Sequence, residues 1–174
     1  MTTEQLRHRM PPILKALKER SLRGRTPVEG LRRTECAYHG WDTVHADAAS
    51  WEPFAPGDAF GGLEAHHCFK GTVTLPEASA GKRVVCLVST GASDIWNNNN
   101  PQFLAYVDGR LVCGLDVNHN EFDLAACAVP GESHELALYV YCNTPARDVF
   151  LRVETAERDD DVTGLYYDLR APYE

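Results

Sequence analysis

An all-β fold, a sandwich or barrel preceded by short α-helices, is the class this sequence predicts. Three observations lead there. Two apolar runs, Phe103–Val107 and Arg110–Leu115, are separated by Asp108-Gly109 alone. A two-residue type I′ turn needs positive φ at both central positions, and Asp-Gly meets that need. In the stretch Phe69–Leu75, Phe69, Gly71, Val73 and Leu75 alternate with Lys70, Thr72 and Thr74, the period of a half-buried antiparallel strand. Further β-prone runs recur between turn residues with no helical pattern interposed, which argues against an α/β arrangement.

Taken in order, the chain opens with helical signals. Thr2 or Thr3 can cap a first helix, and Thr2-x-x-Gln5 fits a capping box. Pro11-Pro12 is expected to break that helix and start a second, with Ile13, Leu14 and Leu17 on one stripe and an end near Leu22. Gly24 to Glu64 is irregular but carries Trp41, Trp51, Phe54 and Phe60, the pattern of a long segment pinned across a scaffold, with edge strands whose limits the sequence does not mark. Strands are expected at Phe69–Leu75, Arg83–Val88, the central hairpin, Phe122–Leu124, Glu135–Cys142 and Val149–Ala156. In the hairpin, the turn sets Tyr106 opposite Leu111 and Leu104 opposite Cys113; both faces are largely apolar, so its sheet should be covered on both sides. Residues 1–24 thus read as a helical segment, 25–157 as the sandwich and 158–174 as an acidic, then aromatic tail.

The 174 residues suffice for one domain with a real core. The net charge of −8 disfavours a nucleic-acid partner and an anionic membrane surface. No apolar run follows the N-terminus as in a signal peptide, and none reaches membrane-spanning length. The six cysteines form no C-x-x-C pair and several fall in strand-like runs. They are expected as reduced, mostly buried thiols of a cytoplasmic protein.

Chemistry concentrates in few places. Asn118-His119-Asn120-Glu121 is the densest polar cluster; it reads as a sugar- or partner-contacting loop, or as a turn whose Asn side chains satisfy nearby backbone. Trp96, beside Asn97–Asn100, is a stacking platform for a sugar ring or packs beneath its own loop. His66-His67-Cys68 with Cys36 and His39 is the one metal-like set, but adjacent residues in a strand face opposite ways and zinc spacing is absent. Carboxylates that a glycosidase would need in pairs occur at Asp116, Glu121 and Asp123 and at Asp159–Asp161; the latter run reads as a solvated linker. No catalytic residue and no metal ligand is assigned.

Several stretches recur in a familiar order: Trp51-x-x-Phe54, Gly61-Gly62, Phe69-Lys70, Leu75-Pro76, Pro101-Gln102-Phe103, Tyr106-Val107-Asp108-Gly109, Gly114-Leu115-Asp116-Val117-Asn118-His119 and Leu165-Tyr166-Tyr167-Asp168-Leu169. Together they resemble the N-terminal region of glycoside hydrolase family 38 α-mannosidases of the cytoplasmic and bacterial type. The Asp-Gly hairpin followed by Gly-Leu-Asp-x-Asn-His is the most specific part. One departure is Cys68, where the pattern has an aromatic residue beside Phe69. The resemblance implies a jelly-roll, galactose-binding-like sandwich ahead of a catalytic domain. That domain holds zinc through His-x-His-x-Asp and an Asp; here His45-Ala46-Asp47 lacks the first histidine. The expectation is therefore a non-catalytic domain of an α-mannosidase, itself without cofactor. Its partners would be the zinc-bearing catalytic domain of the same polypeptide and a mannose-containing oligosaccharide. The alternative is a stand-alone carbohydrate-binding module using Trp96, Asn118, His119, Asn120 and Glu121. A small hydrolase in its own right is the third.

Overall fold

The computed structural model describes residues 3–91, 101–117, 119–143 and 149–173. It is an antiparallel β-sandwich with a helix at either end of the chain. After helix α1 (Thr3–Arg20) come β1 (Leu22–Pro27), β2 (Leu31–Glu35), α2 (Trp41–His45), β3 (Glu52–Phe54), β4 (Ala59–Phe60), β5 (Ala65–Thr74) and β6 (Arg83–Ser89). The chain continues with β7 (Gln102–Val107), β8 (Arg110–Leu115), β9 (Glu121–Ala125), β10 (Ser133–Cys142), β11 (Val149–Phe150), β12 (Arg152–Arg158) and α3 (Asp160–Arg170). One sheet runs β1-β12-β6-β9, the other β3-β2-β5-β10-β7-β8, and β11 pairs with β4. From β6 onward the chain passes back and forth between the two sheets, as in a jelly roll.

The main core lies between the sheets. Phe69, Val73, Leu136, Leu138, Val140, Phe103, Ala105 and Leu115 from one sheet meet Val84, Cys86, Val88, Phe122, Leu124 and Val153 from the other. The alternating pattern of β5 delivers Phe69 and Val73 to this layer as expected. A second cluster lies on the outer face of the six-stranded sheet, where Val44 of α2 and Trp51 cover Cys68, Tyr106, Ala137 and Tyr139. That face hides Lys70, which alternation places outside: it is 6% exposed, donates to the Ala46 carbonyl at 2.8 Å and pairs with Glu135 at 3.0 Å.

Three further expectations change. Pro11 and Pro12 do not split the N-terminal helix, since α1 runs through both. Proline at 11 leaves the Arg7 carbonyl without its usual i+4 amide. The Tyr173 hydroxyl, from beyond α3, donates to that oxygen at 3.4 Å, and α1 packs against α3. The acidic run Asp159–Asp161, expected as an irregular solvated stretch, opens α3: the Asp159 carboxylate accepts the Val162 amide, and the acids that follow suit the positive end of the helix. The hairpin has the expected turn, with φ of 51° at Asp108 and 73° at Gly109. Tyr106 indeed faces Leu111, but Cys113 faces Ala105 and Leu104 faces Gly114. Val112 is an extra residue, a bulge, which turns Cys113 toward the main core while Leu111 and Val112 stay exposed.

Candidate functional site

A well-formed concavity opens on the outer face of the six-stranded sheet. It is a cavity of about 600 Å³ among Tyr38, Gln102, Leu104, Asp116, His119 and Tyr139, with Tyr141 beside them. The pleat explains the lining. Tyr139 and Tyr141 are two apart on β10 and so share its outer face, opposite Leu104 and Gln102 of β7. Next in line stands Gly114, opposite Leu104. A Cβ there would sit in ordinary contact with the Phe103 carbonyl at 3.8 Å and Leu104 Cδ2 at 4.0 Å, so the bare glycine lowers the floor without being required by crowding.

One wall is held in a strained turn. His39 has φ of 70° and Gly40 of 48°; left-handed backbone at a non-glycine residue persists where its surroundings impose it. The Tyr139 hydroxyl accepts the His39 amide at 3.2 Å and lies 2.7 Å from His66 Nδ1. The His66 ring stacks on Tyr139 with 5.9 Å between centroids. Burial pushes the Tyr139 phenol above its ordinary value. Tyr139 is thus a buried, neutral support for this turn at physiological pH, while Tyr38 is 70% exposed.

The opposite wall is the Asp116–His119 turn. The Asp116 carboxylate accepts the His119 amide at 2.7 Å and lies 3.3 Å from His119 Nδ1. The His119 carbonyl in turn accepts the Asp116 amide. His119 is the member of the sequence-predicted cluster that reaches the large cavity. Asn120 lines a smaller one of about 50 Å³ with Val88, Ser89 and Asp116, and its carbonyl accepts the Val88 amide. Glu121 lies in β9 with its carboxylate 3.2 Å from Arg158. Trp96 and Asn118 lie outside the described residues. Sequence reasoning missed Tyr38, Gln102, Tyr139 and Tyr141. The alternation of Tyr139 and Tyr141 with Leu138 and Val140 carried a signal, because it sets two tyrosines on the face away from the core.

Of the carboxylates considered for catalysis, Asp160 shares Arg83 with Asp123 and Arg158 with Glu121. Asp123 is clamped by Arg83, which holds its carboxyl below the ordinary range; Glu121 has Arg158 and Asp116 has His119. The zinc of the resembling family does not fit these residues. Among the described residues no three His, Cys, Asp or Glu side chains converge as a metal would need. Cys36 and Cys68 face each other at 3.6 Å, and His67 is on the core side of β5, against Phe60 and Phe69.

No family model matches the chain, and no curated protein does. Solved structures do. β-Glucuronidases from an uncultured Clostridium species, Faecalibacterium prausnitzii and Ruminococcus gnavus superpose with TM-scores of 0.52, 0.50 and 0.52 at 9%, 14% and 10% identity. Each match covers 79% of this chain but only 30%, 32% and 29% of the respective enzyme. At such identities the likeness is one of fold: a β-sandwich that also forms part of glycoside hydrolases.

Proposed function

We propose that this chain is a non-catalytic sandwich domain of a glycoside hydrolase, and that the whole enzyme is an α-mannosidase. The observation that carries the reading is the asymmetry of the structural match, which takes in four-fifths of this chain and less than a third of each glucuronidase. The ordered motifs from Trp51 to Leu169 support the mannosidase assignment. In this reading a separate catalytic unit of the same polypeptide holds zinc and cleaves terminal α-mannosyl residues. The sandwich supplies a rigid body against which that unit packs. The half-exposed Leu165 and Tyr167 of α3 offer apolar surface for such packing.

The test is to express the open reading frame beyond the codon for Glu174 beside the 174-residue chain. Both are assayed with nitrophenyl α-mannoside and nitrophenyl β-glucuronide. The expected result is mannoside turnover by the longer protein, lost on chelation, and none by the shorter. Turnover by the 174-residue chain alone overturns the reading. Glucuronide turnover by the longer protein removes the mannosidase assignment and leaves the domain role. The tyrosine-lined cavity favours a second reading, a free-standing carbohydrate-binding sandwich; a stop codon directly after Glu174 would decide for it.

A further inference from the structure

We propose that the cavity between the Tyr38-His39 turn and the Asp116–His119 turn is a binding site for an uncharged hexopyranosyl unit, and that it rejects uronic acids. The proposal concerns the chain's own cavity and does not depend on a catalytic unit. Four observations combine. The volume of about 600 Å³ is within the range of small-ligand sites, roughly 300–1,000 Å³. The lining is aromatic on one side and polar on the other. Tyr38 and Tyr141 present ring surface to the C–H face of a sugar, while Gln102, Asp116 and His119 present donors and acceptors to its hydroxyls. The wall is built in advance: the buried Tyr139 holds the His39 amide and meets His66 through its hydroxyl, so the Tyr38-His39 turn loses little freedom when a sugar meets it.

The fourth observation concerns charge. Among the described residues no Lys or Arg lines the cavity, and its one carboxylate is Asp116. A uronate would bring a second negative charge beside that carboxylate with no Lys or Arg among the described lining residues to meet it, in a protein of net charge −8. A neutral hexose instead offers hydroxyl protons to Asp116. The site therefore differs in selectivity from what the names of its structural neighbours, β-glucuronidases, would indicate.

The experiment is an NMR titration of the 174-residue chain with methyl α-mannoside, mannobiose and methyl β-glucuronide. It follows backbone amides and runs in parallel on Tyr38→Ala, His119→Ala and Asp116→Asn. Tyr38 and His119 are largely exposed, so their variants keep the wild-type melting curve. The neutral sugars are expected to bind in the millimolar range and to shift His39, Leu104, Gly114 and His119. The glucuronide is expected to bind about tenfold more weakly, and Tyr38→Ala and His119→Ala to weaken mannoside binding about tenfold each. Asp116→Asn is expected to narrow the gap between mannoside and glucuronide. Absence of shifts at tens of millimolar overturns the proposal. So do glucuronide binding as tight as mannoside binding, and shifts that survive both alanine variants. None of these results bears on whether the longer reading frame is an enzyme, so the two proposals fail separately.

Discussion

Gly40 and Tyr139 sit so close that a Cβ at position 40 would fall 2.5 Å from Cδ2 of the tyrosine ring. The same Cβ would lie 3.3 Å from Cys36 Sγ, and the backbone there is left-handed, with φ of 48°. Steric exclusion and conformational preference thus select glycine together. Gly40→Ala should cost about 1–3 kcal/mol and displace the Tyr38-His39 wall of the cavity. Urea unfolding reads the first effect and the amide shifts of His39 the second. An alanine variant of unchanged stability would show that the turn relaxes freely.

His45 joins α2 to the hairpin. Its Nδ1 lies 2.8 Å from the Trp41 carbonyl and its Nε2 3.0 Å from the Gly109 carbonyl. Both partners are acceptors, so both nitrogens donate only when the ring is protonated. These two bonds, Trp41 first, raise the imidazole above its ordinary 6.5. A raised value means that the clasp is fully formed below about pH 6.5. It loosens as pH rises through the higher folded value. An NMR titration of the His45 ring should give a midpoint above 6.5, and His45→Ala should remove the accompanying shift of the Gly109 amide. A midpoint at or below the ordinary value would contradict the double bridge.

Asp108 works in the opposite sense. Its carboxylate takes His134 Nδ1 at 2.9 Å and the Glu135 amide at 2.9 Å. The bond to His134 is the main cause holding its carboxyl below the ordinary 3.8. Its contribution is therefore complete above that value and lost as pH falls through the lower folded one. Asn tolerates left-handed backbone and keeps an acceptor for Glu135. Asp108→Asn should accordingly lower stability at neutral pH while flattening the acid limb of the stability curve. Parallel acid limbs in the two proteins would place the acid sensitivity elsewhere.

Lys70 carries two roles that separate. Its amine satisfies the Ala46 carbonyl, and its link to Glu135 involves a partner that is 48% exposed. Truncation to Ala should cost about 2 kcal/mol, chiefly from the abandoned carbonyl and lost packing. Glu135→Gln should cost well under about 1 kcal/mol because that half of the pair is solvated. Chemical denaturation of both variants and the double mutant gives the coupling; a costlier Glu135→Gln would make the ion pair the dominant contact.

Much of this structure is legible in the sequence, and the exceptions share a cause. The Asp108-Gly109 turn and the pairing next to it follow from local chemistry. Two steps further on, the Val112 bulge breaks the count, and no glycine or proline marks it. Lys70 obeys the alternation of its strand yet is covered by a segment more than twenty residues earlier. The unbroken α1 draws on Tyr173 at the far end of the chain. The cavity behaves likewise. The Asp116–His119 turn stood out as a polar cluster, but the tyrosines that complete the pocket come from β10 and from the turn before α2. Patterns within a strand were readable; partners brought together by the sheet order were not.

The bulge in β8 also governs how the molecule meets its neighbours in solution. β8 is one margin of the six-stranded sheet, and the other is β3, a three-residue strand containing Pro53. An interrupted ladder at one margin and a residue without an amide hydrogen at the other give an incoming strand no continuous row to pair with. Growth of this six-stranded sheet from molecule to molecule is discouraged at both of its margins.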